Sequence, residues 1–568
     1  MAGNMRTAMR RLRVDSLVKE PIGDKAVELL RRHLYERCGA DVVTAGDADF
    51  VVALRLSPEI GAEGFRIDDL PSGGVRINGS DARGLLYGVG KLLRTSRFET
   101  DGFVPGAWRG TAVPAKPVRG IYFASHLHNF HHDAPVEEVA RYVEDLALWG
   151  CNTLIVWFDM HHFTGLDDPA AQAMIARLRA LLKAANSVGM SGGLVVLANE
   201  AYRNSPEALR ADWTAGHDGY TIEPGGHYHV ELCPNKPGAR ELMLRWLDER
   251  LAAFADIDVD YLWIWPYDQG GCTCRQCSPW GANGFLTLAE PIARAYRRRF
   301  PRGKVVLSTW YFDRFTTGEW AGLAHAFAQP PDWVDYLLAD DFGDRFPEYP
   351  LRHGVPGNLP LVSFPEISMY YGPRYEPGCP WGGFGANPLP RRLQRLWDAA
   401  GGRLVGGFPY SEGIFEDMNK AICAQLYWQP DKPTLQTARE YIAFEYSPDV
   451  VNEVSAAVEI LERSLPRSWQ NAGGVPRFVI KEPSGVDEAW RLVQAAERRL
   501  TPYARGSWRW RLLYLRALID HELLHHGFAV SQACAGALQE LTALYHAQRA
   551  AYVHSPPTRQ AIAAMRPE

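Results

Sequence analysis

Eight short apolar runs recur between Val118 and Gly413, each closing on a polar cluster. They are RGIYFASHLH (119–128), TLIVWFD (153–159), GGLVVLANE (192–200), YLWIWPYD (261–268), KVVLSTWYFD (304–313), YLLADD (336–341), PLVSFPE (360–366) and RLVGGFPYSEG (403–413). Parallel strands covered on both faces are written as continuous apolar runs rather than alternating ones. Segments such as 134–150 and 170–189 leave room for a helix between neighbouring runs. The cadence predicts an α/β fold, a (β/α)8 barrel, whose catalytic mouth is built from the carboxyl ends of its strands. Seven runs end in or beside a carboxylate and the first ends in histidines. That is the pattern of an acid/base enzyme.

At 568 residues the chain exceeds a single core. Residues 1–112 read as a separate α+β unit: a helix over 26–39, strands over 49–57 and 73–79, and a second helix over 82–94. The Pro-rich stretch GTAVPAKPVRG (110–120) leads into the barrel, assigned to 113–430. Residues 431–568 carry helical periodicity over 434–448, 450–465, 486–500, 507–528 and 536–553, and form an α-helical domain.

A formal net charge of −5 argues against a nucleic-acid partner. No stretch has the length and apolarity to span a membrane, and the basic N-terminus has no apolar core of a secretory signal, so a cytoplasmic location is expected. Nine scattered cysteines make a disulfide framework unlikely. Self-association into a homo-oligomer stays open. Among 18 tryptophans, Trp157, Trp265 and Trp310 sit at strand ends and Trp381 in a loop. Flat aromatic faces at a pocket mouth suit the C–H faces of sugar rings, so carbohydrate is the expected partner.

The stretch DFVVALRLS…GGVRINGSDARGLLYGVGKLLR resembles the accessory domain that precedes the barrel in glycoside hydrolases of family 20 and family 67. DYLWIWPYDQGGCTCRQC (260–277) is similar to a W-P-x-D-G-G-x-C-x-C-x-x-C signature of a group that includes the family 163 endo-N-acetylglucosaminidases. Asp341 through LPLVSFPEISMYYG (359–372) is weakly similar to the family 67 α-glucuronidases. That resemblance implies an acid after strand four, at Asp268, and a carboxylate pair after strands six and seven, at Asp341 (or Asp344) and Glu366. The strand-four acid of family 67 is Glu where this chain has Asp, and a cysteine cluster replaces that family's Glu-rich surroundings. The resemblance further implies an inverting, exo-acting hydrolase of small oligosaccharides that needs no cofactor for catalysis. A uronic acid would require a cation, for which Arg119, Arg314, Arg345 and Arg374 are the candidates.

Glycoside hydrolysis needs two carboxyl groups flanking the scissile bond. Asp268 follows Trp263, Trp265 and Tyr267, apolar surroundings that raise a carboxyl pKa as a general acid requires. Glu366, across the mouth, is the candidate base, with Asp341 and Glu412 in support. His126, His128, Trp157, Asp159, Glu200, Asn235, Trp265, Trp310, Asp313, Asp340, Arg374 and Tyr410 are the candidate sugar-binding residues. The pair Asp340–Asp341 leaves a substrate-assisted N-acetylhexosaminidase as the alternative. A non-catalytic carbohydrate-binding protein on the same scaffold is the alternative of another class.

Three features invite a metal. His126, His128, His131, His132, His161 and His162 crowd the first two strand ends, where hydroxyl binding is the simpler role. Cys272, Cys274 and Cys277 could hold a structural zinc with a fourth ligand such as Cys233, form a disulfide, or remain free thiols. His521–His525 spells H-E-x-x-H, the zinc-protease helix, with Glu540 as the one evident third ligand. Its place inside a long apolar helix marks it as structural.

Overall fold

The computed structural model describes residues 8–125, 129–212, 230–267, 271–314, 316–339, 345–368 and 383–546. All eight expected strands are present and pair in parallel, in chain order: β1 (Val118–Phe123), β2 (Thr153–Trp157), β3 (Ser191–Leu197), β4 (Val259–Trp265), β5 (Lys304–Ser308), β6 (Tyr336–Ala339), β7 (Leu361–Ser363) and β8 (Leu404–Gly407). Closure comes from Gly406↔Val118 and Gly407↔Arg119, with Thr153↔Gly120 on the other edge of β1. Every residue of β1, β2 and β3 is buried, as their unbroken apolar runs require. Helices such as Val136–Leu148, Pro169–Ser187 and Gly284–Arg299 cover the outside. Asp168 starts the second of these by accepting the Ala170 N–H at 2.9 Å.

The barrel interior is filled largely by aromatic rings, and two glycines make room for them. A Cβ on Gly120 would lie 2.0 Å from the Phe408 ring, and one on Gly193 would lie 2.4 Å from Ile155 and 2.8 Å from Tyr261. Positions 120, 155, 193, 261 and 408 therefore all face inward, which sets the register for every residue two steps further along a strand.

The N-terminal unit is a six-stranded sheet in the order Asp41–Val43, Arg11–Ser16, Phe50–Leu56, Val75–Gly79, Phe65–Asp69, Gly110–Ala112. Both expected helices, Pro21–Cys38 and Ala82–Thr95, are present. The strands at 11–16, 41–43, 65–69 and 110–112 are additions to the reading. The A-R-G-L-L-Y-G-V-G helix is wedged between its own sheet and the barrel. A Cβ on Gly88 would strike Ile77 at 2.4 Å, and one on Gly90 would strike the Leu148 carbonyl at 2.2 Å. The C-terminal unit holds helices Thr434–Glu445, Val451–Arg463, Val486–Glu497, Trp508–His525 and Gln532–Leu544. A hairpin, Arg467–Ala472 with Val475–Ile480, interrupts them. No helix of the described residues is long and apolar enough to cross a membrane.

Candidate active site

Phe364 lies within 5.2–5.6 Å, ring to ring, of Tyr122, Trp263, Trp265 and Trp310. Tyr122 stacks on Trp263 at 5.6 Å, Trp263 on Trp265 at 5.9 Å, and Trp265 leans on Trp310 at 5.3 Å. Tyr410 closes the circuit against Tyr122 at 5.6 Å and Phe364 at 5.7 Å. These rings form a continuous aromatic floor beneath the mouth. Trp265 and Trp310, expected at the sugar, belong to this floor and are almost wholly buried.

The carboxylates follow from the same register. Two residues beyond Phe364 is Glu366, two beyond Tyr410 is Glu412, and two beyond Trp157 is Asp159. Glu366 is bridged in parallel to Tyr410 by backbone pairing, so the segments that carry Glu366 and Glu412 run side by side. Glu366 Oε1 accepts the Ser368 N–H at 2.6 Å and the Ser368 hydroxyl at 3.0 Å, and its carbonyl receives the buried Arg392 guanidinium. Glu412 Oε1 accepts the Tyr410 hydroxyl at 2.6 Å. The S-E-G turn is held by Glu416, whose Oε1 accepts Ser411 Oγ at 2.8 Å, Glu412 N–H at 2.9 Å and Gly413 N–H at 2.8 Å. Tyr545, from the C-terminal unit, donates to the Glu412 carbonyl at 2.6 Å. Glu416 and Tyr545 were not singled out in sequence. The E-G-I-F-E spacing was the available signal for Glu416, and nothing local signals Tyr545.

Asp159 and Glu200 stand in a buried cluster with Glu231 and His161, with the partly buried His162 beside Asp159. Glu200 accepts the Met160 N–H, and Arg250 lies 3.8 Å from its other oxygen. Burial, then the neighbouring Asp159 charge, pushes Glu200 well above the usual carboxylate range, and the same two causes raise Glu231. His161 Nδ1 contacts Asp159, and His162 Nε2 lies 3.5 Å from it. Asp159, His161 and His162 bring three ligand-type atoms within 4.8 Å.

Several expected residues are placed elsewhere. Arg119, proposed near the mouth, is the second residue of β1 and outward-facing, so it lies at the opposite end of the barrel. It is wholly buried against Glu63 and the Gly150 carbonyl. Asp313 has φ +60° and caps the helix Glu319–Ala326, accepting the Glu319 N–H at 2.7 Å while its own N–H reaches Glu319 Oε2 at 2.9 Å. Asn235 Nδ2 donates to Cys277 Sγ at 3.1 Å, which commits its amide to the cysteine cluster. His131 stacks on Phe123 at 3.7 Å and meets Ser411 Oγ at 2.9 Å, a core role. In the H-E-x-x-H helix, His521 and His525 both contact Asp487, at 2.7 and 2.8 Å. Glu540, the candidate third ligand, is forked on Arg511 at 2.7 and 2.8 Å instead. His126, His128, Asp268, Asp340, Asp341, Asp344, Arg374 and Trp381 lie outside the described residues.

Cys272, Cys274 and Cys277 do come together, and Cys233 joins them: the four Sγ atoms lie within 4.8 Å of one another. Gly271 has φ +146°, and a Cβ there would lie 2.1 Å from the buried Trp280 ring. Trp280 Nε1 in turn donates to the Pro266 carbonyl at 2.7 Å, anchoring the segment after β4.

No protein-family model matches the chain, and no curated protein matches it. Solved structures do. A GH115 4-O-methyl-α-glucuronidase with specificity for decorated arabinogalactans matches at TM-score 0.61 and 12% identity, over 98% of this chain and 78% of that one. A GH89 protein of Clostridium perfringens, in complex with GlcNAc-α-1,4-galactose, matches at TM-score 0.62 and 12% identity, over 89% and 62%. A family 20 β-N-acetylglucosaminidase matches at TM-score 0.51 and 16% identity, over 77% and 93%. In fold, this chain resembles glycoside hydrolases. The likeness runs to families 115, 89 and 20, and it leaves the family 67 label unsupported.

Proposed function

We propose that this chain is a glycoside hydrolase working by carboxylate acid/base chemistry at the carboxyl end of its barrel. The observation that carries the reading is the bridge of Glu366 to Tyr410, whose hydroxyl meets Glu412, above a stacked aromatic floor. Glu366 and Glu412 stand over rings that can underlie a sugar, and hydrolysis needs one further carboxyl on the other side of the scissile bond to protonate the leaving oxygen. In this reading Asp268, immediately beyond β4, is the acid and Glu366 the base. Asp341 and Glu412 hold hydroxyls and tune the pair.

The finer form of the reading is an exo-acting, α-glucuronidase-like enzyme that takes part in polysaccharide breakdown. The activity named for the GH115 structure of the same fold supports it. The described cysteines are all unbridged, in keeping with a cytoplasmic location.

The test is proton NMR of the purified protein against uronosyl, N-acetylhexosaminyl and neutral oligosaccharides, with Asp268→Asn and Glu366→Gln beside it. Cleavage by wild type, with each variant reduced about 10²–10⁴-fold, is expected. Sensitivity to a thiazoline inhibitor would reassign the chain to substrate-assisted chemistry. Binding without turnover by wild type would make it a carbohydrate-binding protein.

A further inference from the structure

Four cysteine sulfurs meet where two mouth loops cross. Cys233 belongs to the segment between β3 and β4, and Cys272, Cys274 and Cys277 to the segment after β4. Cys233 Sγ stands 3.8 Å from Cys274 Sγ and 3.8 Å from Cys277 Sγ. A disulfide would need sulfurs about 2.05 Å apart. Four thiolates held tetrahedrally at about 2.3 Å from a zinc ion stand about 3.8 Å from one another. The observed spacing is thus that of a coordination tetrahedron and not of a cystine.

The surroundings fit thiolates. Asn235 Nδ2 donates to Cys277 Sγ at 3.1 Å. The Cys277 and Ser278 N–H groups both turn back onto the Cys274 carbonyl, at 2.9 and 3.0 Å, closing the tight C-x-x-C turn that brings two sulfurs to one side. Cys233, Cys272 and Cys277 are buried, and Cys274 is partly so.

We propose that Cys233, Cys272, Cys274 and Cys277 form a closed four-thiolate zinc site that clamps the loop after β3 to the loop after β4. Zinc enters as Zn²⁺ and displaces four thiol protons to solvent, with no redox change. Four protein ligands leave no open position, so the ion is structural. Its mechanical effect is local. Asn199 Nδ2 already bridges the two loops through the Leu232 carbonyl at 3.0 Å and the Gly271 carbonyl at 3.3 Å, and Thr273 N–H reaches Asp212 at 2.9 Å. The zinc makes this crossing permanent. It fixes Glu231, two residues from Cys233, in the carboxylate cluster. This inference stands on the sulfur geometry and does not depend on the hydrolase reading.

The experiment is metal analysis of the full chain, expressed with zinc in the medium and purified without chelator. Expected is one zinc per chain, released by a mercurial that titrates four thiols. Cobalt exchange should give the thiolate charge-transfer and intense d–d bands of a tetrahedral Co(II)–S4 centre. Hydrogen exchange after metal release should quicken in 230–236 and 271–278 and leave β1–β3 unchanged. Cys423→Ser, at a buried cysteine of the helix Asp417–Trp428, should keep the zinc, and Cys233→Ser should lose it. Metal-free protein with four freely titrating thiols would overturn the proposal. So would a mass showing these cysteines paired as disulfides. Both results are read on wild type, so a variant that fails to fold leaves the test intact.

Discussion

Tyr410 donates its hydroxyl to Glu412 Oε1 at 2.6 Å while its ring lies against Phe364 and Tyr122, so one side chain is both aromatic floor and carboxylate partner. Removing only the hydroxyl separates the two roles. Tyr410→Phe keeps the stacking and deletes a charge-assisted hydrogen bond, about 1.5–3 kcal/mol. We expect kcat/KM to fall by about 10–100-fold with the melting temperature nearly unchanged. An unchanged kcat/KM would detach Glu412 from the reaction.

Glu319 supports the segment after β4 from below. It is fully buried and accepts Tyr267 OH, Gly281 N–H at 2.6 Å and Asp313 N–H at 2.9 Å. Burial raises its pKa to about 7 from the ordinary 4.5, against the pull of those donors. A carboxyl raised in the folded state contributes stability that is complete below 4.5 and is lost as pH climbs through about 7. The loss is on the order of 3 kcal/mol. Urea unfolding midpoints should fall between pH 5 and pH 7.5, and Glu319→Gln should flatten that decline. An equal decline in the variant would remove Glu319 as its source.

The barrel was legible because its signal is repeated: eight apolar runs, each ending in polarity, and all eight became strands. The N-terminal helix was legible from A-R-G-L-L-Y-G-V. The strands at 11–16 and 65–69 are short, charged at alternate positions and only half-buried, so their apolar signal is thin. The hairpin at 467–480 was hidden inside a helical reading, although Gly473–Gly474, with φ +63° and +84°, is a two-residue turn signal between Ala472 and Val475. For the site, the type of residue at each strand end was readable and its direction was not. Asp313 became a helix cap because a positive-φ turn directs its carboxylate at Glu319. Arg119 is one residue out of step with inward-facing Gly120, and one step reverses the face. Tyr545 reaches Glu412 from 133 positions away, a contact that no local pattern encodes.

Gly120 is a packing requirement of the aromatic interior. An alanine methyl there would sit 2.0 Å from Phe408 Cδ1 and 2.4 Å from Cε1. The ring is itself wedged against Trp263 at 4.8 Å and Tyr261 at 6.0 Å, so it cannot retreat. Gly120→Ala should cost about 1–3 kcal/mol or more through overpacking. Adding Phe408→Leu to the same chain should recover part of that loss, because the smaller side chain vacates the methyl's space. Thermal melts of the single and double variants read this directly. A double variant no more stable than the single would place the clash elsewhere.

Glu63 ties the N-terminal unit to the bottom of the barrel. Its carboxylate receives Arg83 Nη1 at 2.7 Å, Arg119, and Asn152 Nδ2 at 3.2 Å, and the Arg119 side chain is completely buried. Burial by itself would raise the Glu63 pKa, but the Arg119 and Arg83 charges outweigh it and hold the group below 4.5. Glu63→Gln leaves the Arg119 guanidinium buried without its counter-charge, the costly way to break such a pair, at about 3–5 kcal/mol. The sign with pH follows from the depressed pKa. The wild-type advantage is complete above 4.5 and fades as the solution is acidified below it. Melting temperatures of wild type and variant should therefore differ widely at pH 7 and converge as pH falls below 4.5. Because the pair lies at the end of the barrel opposite the mouth, kcat at a temperature where both proteins are folded should be unchanged. A constant gap in melting temperature down to pH 3 would show that shape, and not charge, is what Glu63 contributes.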